Sequence, residues 1–382
     1  MQQTASGSKY SGGGGKLYLA LELGWERWKV AFSTGPGRRV WQVSIAARDR
    51  SRFEAVLFQA RTRLGLSAGC EVVSCYEAGR DAFWVDRWLR SLGIANLVVD
   101  SSSIEVNRRT RRIKTDRIDA AKLLSMLMRY EAGERKVWSV VKVPSAAQED
   151  ARHMHRELRT LKKEQTRLVN RIRGLLASQG VDGRMGRRGL LVALEKIRIW
   201  DGSPLPAGLR QRLERELERH AFVHQQVLAC DMRVREMVGQ CEEAPVSQVR
   251  RLSRLRSIGR IGAMTLVREF GWRDFRNRRQ VGALAGLSPT PFQSGKSFRE
   301  GGMSRAGNRH VRGIMVDLAW SWLRWQPGSE LACWYRRRFG TGSSRVRRIG
   351  IVALARKLLI ALWRYWAEGH MPQGAVLKSY VG

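Results

Sequence analysis

The order of strand and helix patterns at the start of the chain is the feature that most restricts its fold. Three short segments rich in Val, Leu, Trp and Ile come first, and turns at Gly24 and at residues 34–37 separate them. This spacing predicts a three-stranded antiparallel meander. Helical patterns then alternate with strand patterns, which predicts parallel strands joined by helical crossovers. The predicted strands are residues 17–23, 28–33, 39–46, 72–76 and 96–99, and the predicted helices are residues 52–64 and 82–92.

Acidic residues stand at three informative places in this pattern. A meander followed by crossover strands is the α/β ribonuclease H-like arrangement, whose metal ligands lie on the first strand, at the end of the fourth strand and on a following helix. Glu22 and Glu77 occupy the two strand positions, and Asp116 and Asp119 lie near the start of a helix. Four carboxylates can hold two magnesium ions about 3.5–4 Å apart. Taken singly, a strand carboxylate is more often a surface residue, and such an aspartate pair is more often a helix cap.

The charge balance predicts a nucleic-acid partner. The formal net charge of the 382 residues is +36, but 34 acidic residues and 43% hydrophobic residues argue against a disordered basic tail. A basic run directly precedes the aspartate pair and consists of Arg108, Arg109, Arg111, Arg112 and Lys114. Cations beside carboxylates indicate a metal site that handles phosphate.

Several features of the sequence predict a cytoplasmic protein. The Gly- and Ser-rich residues 1–16 are expected to form a flexible leader and lack the apolar core of a secretory signal. The five cysteines include no C-x-x-C pair, which argues against a disulfide framework or a zinc knuckle. The longest apolar run, residues 349–366, contains Arg356, Lys357 and Arg364, so an amphipathic helix is favoured over a membrane span.

Residues 146–245 are predicted to form a helical coiled-coil arm. Apolar residues recur at spacings of three and four from Leu158 to Leu175, and a second helical pattern contains Leu209, Leu213 and Leu217. The two helices can pack as an antiparallel hairpin or pair with a second subunit, and the pattern does not choose between these. His220 and His224 have a spacing compatible with zinc, but a solvated helix face is the favoured interpretation.

Residues 246–382 are predicted to form a mainly α-helical domain. Gly259 and Gly262 resemble a helix-hairpin-helix turn, whose backbone N–H groups can bind phosphate, although a closely packed turn between helices fits equally well. Several tryptophans, Trp320, Trp322 and Trp325 among them, are expected to pack in a core, with base stacking as the alternative. A cluster of basic residues around 336–348 is a candidate clamp for the nucleic-acid backbone.

Residues 287–308 are predicted to form a basic loop. Ser294 precedes a glycine there, and neighbouring cations could stabilise its alkoxide. An ordinary phosphate-binding loop is the alternative, and Ser288, Ser297 and Ser304 lie nearby. The candidate nucleic-acid contacts in and beside this loop are Lys296, Arg299, Arg305, Asn308 and Arg309.

Motifs along nearly the whole chain resemble insertion-sequence transposases of the IS110 family. The N-terminal matches are Ser74-Cys75-Tyr76-Glu77-Ala78-Gly79, residues 98–107 and residues 114–121. The C-terminal matches are Ile258-Gly259-Arg260-Ile261-Gly262, residues 285–289, Gln293-Ser294-Gly295-Lys296 and residues 301–309. The resemblance implies a RuvC-like DEDD domain followed by a serine transposase domain.

The resemblance also implies a mechanism. Glu22, Glu77, Asp116 and Asp119 would bind Mg²⁺, and Ser294 would attack DNA to form a covalent 5′-phosphoserine. A bridge RNA would guide the recombinase to donor and target DNA, and the protein would act as a homo-oligomer, a dimer or a tetramer, associated with the bacterial nucleoid when active. Glu22 departs from the aspartate usual in the family but keeps its charge.

Two other functions remain open at this point. A metal-only junction nuclease related to RuvC would use the C-terminal domain as a DNA clamp. A non-catalytic nucleic-acid-binding protein would have lost the metal site, a possibility that Glu22 raises. The domain boundaries expected from the sequence are 1–16 for the leader, 17–145 for the metal-binding domain, 146–245 for the arm and 246–382 for the serine domain.

Overall fold

The computed structural model describes residues 15–104, 116–182, 194–240, 246–294 and 297–379. The side chains of residues 116–119, 239–240 and 291–300 lie outside this description. The basic run at residues 108–114, Lys296 and residues 1–14 of the predicted leader also fall outside it. The chain divides into two compact units, residues 1–144 and residues 145–382.

A five-stranded mixed sheet forms the centre of the first unit. Its strands are β1 (Leu17–Leu23), β2 (Arg27–Ser33), β3 (Trp41–Ala46), β4 (Val72–Glu77) and β5 (Ala95–Val99). Their order is β3-β2-β1-β4-β5, with antiparallel pairing from β1 to β3 and parallel pairing of β4 and β5. The predicted meander and the two parallel additions are both confirmed.

Helices cover both faces of this sheet. The helices are α1 (Arg50–Arg63), α2 (Ala82–Ser91) and α3 (Asp116–Glu131). Leu19 and Leu21 pack on one face with residues of α1 and α2, whereas Ala20 packs on the other face with residues of α3. Because both faces are buried, β1 is apolar almost throughout instead of alternating between apolar and polar residues.

Two long helices of the second unit pack antiparallel to each other. After the short helix α4 (Ala146–Asp150) come α5 (His153–Ala177) and α6 (Ala207–Gln240). Gln165 contacts His224 at 3.1 Å, and Arg171 contacts Glu216 at 3.1 Å. The later residue of α5 contacts the earlier residue of α6, so the two helices run in opposite directions. The hairpin, one of the two arrangements left open by the sequence, is therefore present within the chain. Its helices belong to the same compact unit as the C-terminal helices.

The C-terminal helices pack around a core that includes Phe270, Trp322 and Trp366. Trp320 and Trp325 are about half exposed, so core packing was wrong for these two tryptophans. No helix among the described residues is long and apolar enough to cross a membrane. The helices are α7 (Val246–Ser253), α8 (Arg260–Leu266), α9 (Arg278–Leu284), α10 (Arg309–Trp325), α11 (Glu330–Phe339) and α12 (Ser344–Glu368), and a π-helical turn (Val267–Gly271) follows α8.

A β-hairpin replaces most of the loop predicted for residues 287–308. Its strands are β6 (Pro289–Ser294) and β7 (Ser297–Met303). The strand β6 was not predicted because Pro289 and Pro291 are typical of loops. Proline is tolerated here because both strands of a two-stranded sheet are edge strands. A second expectation also failed: His220 is buried, at 2% exposure, because its helix face packs within the second unit and is not solvated.

Candidate metal centre and serine hairpin

Glu22 and Glu77 lie side by side at the carboxyl ends of β1 and β4. These strands are parallel, with Leu21 in register with Tyr76, so the next residue of each strand is a carboxylate. Side chains alternate along a strand. Ala20 and Cys75 face α3, and Glu22 and Glu77 therefore occupy positions on that same face of the sheet. Glu22 is half-buried and Glu77 is exposed.

Helix α3 runs antiparallel to β1, with its first turn at the edge that carries these glutamates. Lys16, just before β1, donates a 2.7 Å hydrogen bond to Glu131 at the end of α3, and the Cys75 thiol lies 3.6 Å from the carbonyl oxygen of Leu123. Burial raises the pKa of this thiol well above its usual range, which suits a packing role.

The start of α3 lies level with the ends of β1 and β4, as the lengths of the helix and strand segments indicate. From Leu123 back to Asp119 a helix advances about 6 Å, and from Cys75 to Glu77 a strand advances about 6.6 Å. The backbone of Asp119 is therefore about level with Glu77, and Asp116 lies one turn beyond it.

Oxygen donors of this kind suit a hard cation such as Mg²⁺. The two strand ends contribute Glu22 and Glu77, and the first turn of α3 contributes Asp116 and Asp119, whose side chains the structure does not describe. Among the side chains that are described, no group of three or more His, Cys, Asp or Glu residues could hold a metal ion. The backbone arrangement and the donor chemistry fit magnesium, and the fourfold site predicted from the sequence depends on the two aspartates.

Ser294 is the last residue of β6, at the tip of the hairpin. It pairs in register with Ser297, and residues 295 and 296 between them lie outside the described residues. At the base of the hairpin, the Ser304 backbone N–H donates to the Ser288 carbonyl at 2.9 Å, and the Thr290 hydroxyl donates to the Gly302 carbonyl at 2.9 Å. The candidate nucleophile is thus carried on paired strands and not on the loop expected from the sequence.

Two glycines fix the base of this hairpin. Gly286 and Gly307 have φ angles of +66° and +100°, in the left-handed region that favours glycine. A Cβ atom would clash with the Ala306 carbonyl oxygen at Gly286 and with the Leu284 carbonyl oxygen at Gly307. Arg305 contributes its carbonyl oxygen to a 2.8 Å hydrogen bond from Arg312. The backbone that supports β6 and β7 is therefore closely packed.

Asn308 uses its side chain to hold the fold together. Its carbonyl oxygen caps α10 by accepting from the N–H groups of His310 and Val311, while its amide donates to Glu269 at 2.9 Å. These bonds occupy the polar groups that were predicted to contact nucleic acid. The neighbouring Arg309, the first residue of α10, makes no comparable side-chain bond among the described residues.

Glu269 was missed by sequence reasoning, although it is fully buried in the π-helical turn. Its carboxylate contacts His155 at 2.9 Å and Arg156 at 2.6 and 2.8 Å, besides Asn308. Burial alone would raise the pKa of Glu269, but the bonds from His155, Arg156 and Asn308 outweigh it and hold this pKa far below its usual range. The buried ion pair joins α5 to the base of α10.

The two glycines of the predicted helix-hairpin-helix turn have different surroundings. Gly262 is buried within α8, where a Cβ would lie 3.5 Å from a Leu318 methyl group, so the packing interpretation fits this residue. Gly259 lines a groove of about 940 Å³ whose cations are suited to phosphate. The cations are Arg235, Arg250, Arg251, Arg254, Arg260 and Lys378.

Comparison with known proteins shows to which family the chain belongs. A family model described as transposase IS116/IS110/IS902 family matches residues 249–332, from α7 through the hairpin to the start of α11. A candidate transposase of Sinorhizobium fredii, y4rJ, is 40% identical over 96% of this chain and 95% of its own length. This chain belongs to the IS116/IS110/IS902 family of transposases.

Less similar transposases match about two thirds of the chain. The transposase for insertion sequence element IS1111A of Coxiella burnetii is 26% identical over 69% of this chain and 68% of its own length. The transposase for element IS1328 of Yersinia enterocolitica is 25% identical over 67% of this chain and 72% of its own length. The similarity therefore extends well beyond the segment that the family model covers.

Proposed function

We propose that this transposase cuts and rejoins DNA at the ends of an insertion element through a covalent 5′-phosphoserine on Ser294. In this proposal Glu22, Glu77, Asp116 and Asp119 hold Mg²⁺, and a bridge RNA guides the protein to donor and target DNA. The meeting of the β1 and β4 ends with the first turn of α3 is the observation that carries the proposal. The strand order β3-β2-β1-β4-β5 supports a RuvC-like, ribonuclease H-like interpretation of the first unit.

The serine chemistry is a transfer of a phosphoryl group between oxygen atoms. The Ser294 hydroxyl loses its proton to a base, its Oγ bonds to phosphorus, and the bond from phosphorus to the 3′ oxygen breaks. The departing 3′ oxygen takes up a proton, and the 5′ phosphate stays on the serine. Attack by the 3′ hydroxyl of another strand reverses these steps and rejoins the DNA. Bound Mg²⁺ would supply positive charge to the reacting phosphate.

The basic residues near Ser294 support this assignment. A serine needs help to react as an alkoxide, and fixed cations stabilise the charge that develops on the phosphate. Lys296, Arg299 and Arg305 lie in or beside the hairpin in sequence. The bridge RNA and the oligomer, a dimer or a tetramer, are proposed from the resemblance of the motifs, and the net charge of +36 is compatible with both nucleic acids.

A search for a protein–DNA adduct tests the proposal. Purified protein, the RNA encoded beside the element and end-labelled element DNA are incubated with Mg²⁺ and separated on a denaturing gel. We expect an adduct with the native chain and with Ser297→Ala, the matched control on the facing strand, but none with Ser294→Ala or Glu77→Gln. Omission of the RNA should also abolish the adduct.

The other outcomes identify the alternatives. DNA cleavage that survives Ser294→Ala and leaves no adduct would make the chain a metal-only nuclease. DNA binding with no Mg²⁺-dependent cleavage in the native chain would indicate a non-catalytic binding protein. An adduct that forms without RNA would remove the guide RNA from the proposal and leave the serine chemistry intact.

A further inference from the structure

A second groove lined with cations lies at the foot of the serine hairpin. It has a volume of about 890 Å³ and is bordered by the first residues of α9, the face of α12 and the beginning of β6 at Ser288 and Pro289. No carboxylate is among the residues that line it in the described part of the chain. Its cations are Arg278, Arg279, Arg356, Lys357 and Arg364.

The cations of this groove make no ion pairs within the part of the chain that the structure describes. None of its four arginines makes an ion pair or a side-chain hydrogen bond with another described residue, whereas other arginines of the second unit, such as Arg171, pair with carboxylates. Lys357 lies over the ring of Trp334, 4.7 Å from its centroid, and forms no ion pair with an acid of the described residues. Glu368 lines an adjoining pocket with Arg278 and Arg364, but no ion pair joins it to either arginine among the described residues. Five like charges without a direct ion pair favour a polyanionic ligand.

The helix packing beneath the groove holds one of these arginines in place. Arg356 is half-buried, and its methylene groups lie against Gly282 of α9. A Cβ at Gly282 would lie 3.3 Å from Cγ of Arg356 and 3.6 Å from the Ser288 hydroxyl. The glycine therefore lets the arginine stem lie flat between α9 and the foot of β6, with its guanidinium on the groove.

We infer that this groove binds the phosphate backbone of the DNA strand that Ser294 attacks, an inference that rests on the proposed function. The groove is continuous with β6, which leads from Pro289 directly to Ser294. Five residues of strand span about 17 Å. Phosphates of one DNA strand are about 3.4 Å apart along the helix axis, so the contacted phosphates lie within about five nucleotides of the cleaved bond. This continuity with the serine strand favours DNA over RNA as the occupant.

The salt dependence of DNA binding tests this inference without any need for cleavage. The full-length double variant Arg278→Gln with Arg364→Gln is compared with Arg50→Gln with Arg52→Gln, which removes the same charge from exposed positions on α1. The probes are a duplex that contains the element end and, separately, the element RNA. The logarithm of the DNA-binding constant falls linearly with the logarithm of the salt concentration, and each lost phosphate contact makes this slope less steep by about 0.9. We therefore expect the slope of the groove variant to be less steep than the native slope by about 2. The control should keep the native slope.

Neutral phosphates locate the contact on the DNA. Methylphosphonate replacements within about five nucleotides of the cleaved bond should weaken binding by the native chain and have little effect on the groove variant. An unchanged DNA slope, or a loss confined to the RNA probe, would overturn the inference. The adduct assay reports separately on Ser294. If no adduct formed but the groove variant showed the expected change in DNA slope, the proposed function would be refuted and phosphate binding by the groove would still be established.

Discussion

A single buried carboxylate, Glu269, joins segments of the second unit that are far apart in sequence. Its partners His155 and Arg156 belong to α5, and its third partner, Asn308, caps α10 and follows the hairpin that carries Ser294. Removing one member of a buried ion pair leaves the other without compensation. Glu269 is therefore a stabilising residue with a direct effect on the base of the hairpin.

Acid should destabilise the second unit through two groups with lowered pKa values. The pKa of Glu269 is far below its usual range, so its contribution is complete above pH 4.5 and is lost as the pH falls towards the folded-state value. Burial lowers the pKa of His310 from 6.5 to about 4, so stability also declines as the pH falls from 6.5 to 4. We expect the thermal midpoint to fall steadily below pH 6.5, as measured by circular dichroism over a pH series.

The variant Glu269→Gln isolates the carboxylate. At pH 7 it should lose about 2–3 kcal/mol, somewhat less than a fully buried pair because Arg156 is 37% exposed. Below pH 4.5 its stability should depend less on pH than that of the native chain. Arg210→Gln, which removes exposed ion pairs with Glu214 and Glu195, should leave stability almost unchanged because surface pairs contribute little. If the stability of the native chain and that of Glu269→Gln fell equally with decreasing pH, Glu269 would not be a source of the acid sensitivity.

Sequence reasoning found the strand carboxylates but not Glu269, and the difference is physical. Glu22 and Glu77 stand at the ends of apolar runs, and a parallel register brings strand ends together whatever the loops do. The role of Glu269 depends on its contact with His155, which is 114 positions away in the sequence. No local pattern marks such a contact, because it depends on how α5 packs against the π-helical turn.

At the scale of elements, the serine hairpin depends on the tight packing at its base. Gly286 and Gly307 combine left-handed backbone with contacts to carbonyl oxygens, and both residues are outside the paired strands. The hairpin itself has only two strands, and an isolated two-stranded hairpin is marginally stable at best in water. The packing at its base therefore determines whether β6 and β7 keep one position.

Alanine at either glycine should loosen the hairpin. Gly286→Ala and Gly307→Ala should each cost about 1–3 kcal/mol, since each forces a strained φ angle and a backbone clash. Gly302→Ala, in β7, is the matched control, because nothing lies within 4 Å of its Cβ position. Thermal unfolding and backbone hydrogen exchange of residues 289–303 measure the effect. Equal stability of the three variants would show that the base does not support the hairpin.

The elements themselves were predictable to different degrees. The meander and the crossover helices follow from clear turn residues and apolar runs, so their positions were predicted to within a few residues. The hairpin was missed because proline and glycine in β6 and β7 are typical of loops. Whether such a segment forms paired strands is decided by its anchoring, here the bond from Ser304 to Ser288.

At the scale of the whole molecule, the chain consists of two units with separate apolar cores. The first unit buries residues such as Trp28 and Phe53 around its sheet, and the second buries residues such as Phe270 and Trp322 among its helices. The candidate carboxylates belong to the first unit and Ser294 belongs to the second. Each unit thus has the core that independent folding requires.

Residues 145–382 should fold when expressed alone. We expect cooperative thermal unfolding, and we expect DNA binding that retains its dependence on Arg278 and Arg364, because the whole groove belongs to this unit. The fragment should form no DNA adduct, since the four candidate metal ligands are absent. Circular dichroism, salt-dependent binding and the denaturing gel measure these three properties. Aggregation or non-cooperative unfolding of the fragment would mean that the second unit needs the first.

The unpaired cations of the groove at the foot of the hairpin also bear on how long the protein survives in a cell. Like charges held together without counter-charges destabilise the compact state, and a ligand that binds only the folded chain stabilises it, by about 2.7 kcal/mol at a hundredfold excess over Kd. Proteases remove chains that unfold. We therefore expect copies away from DNA to be degraded faster than bound copies, so that the groove would tie the amount of transposase to the number of DNA sites available to it.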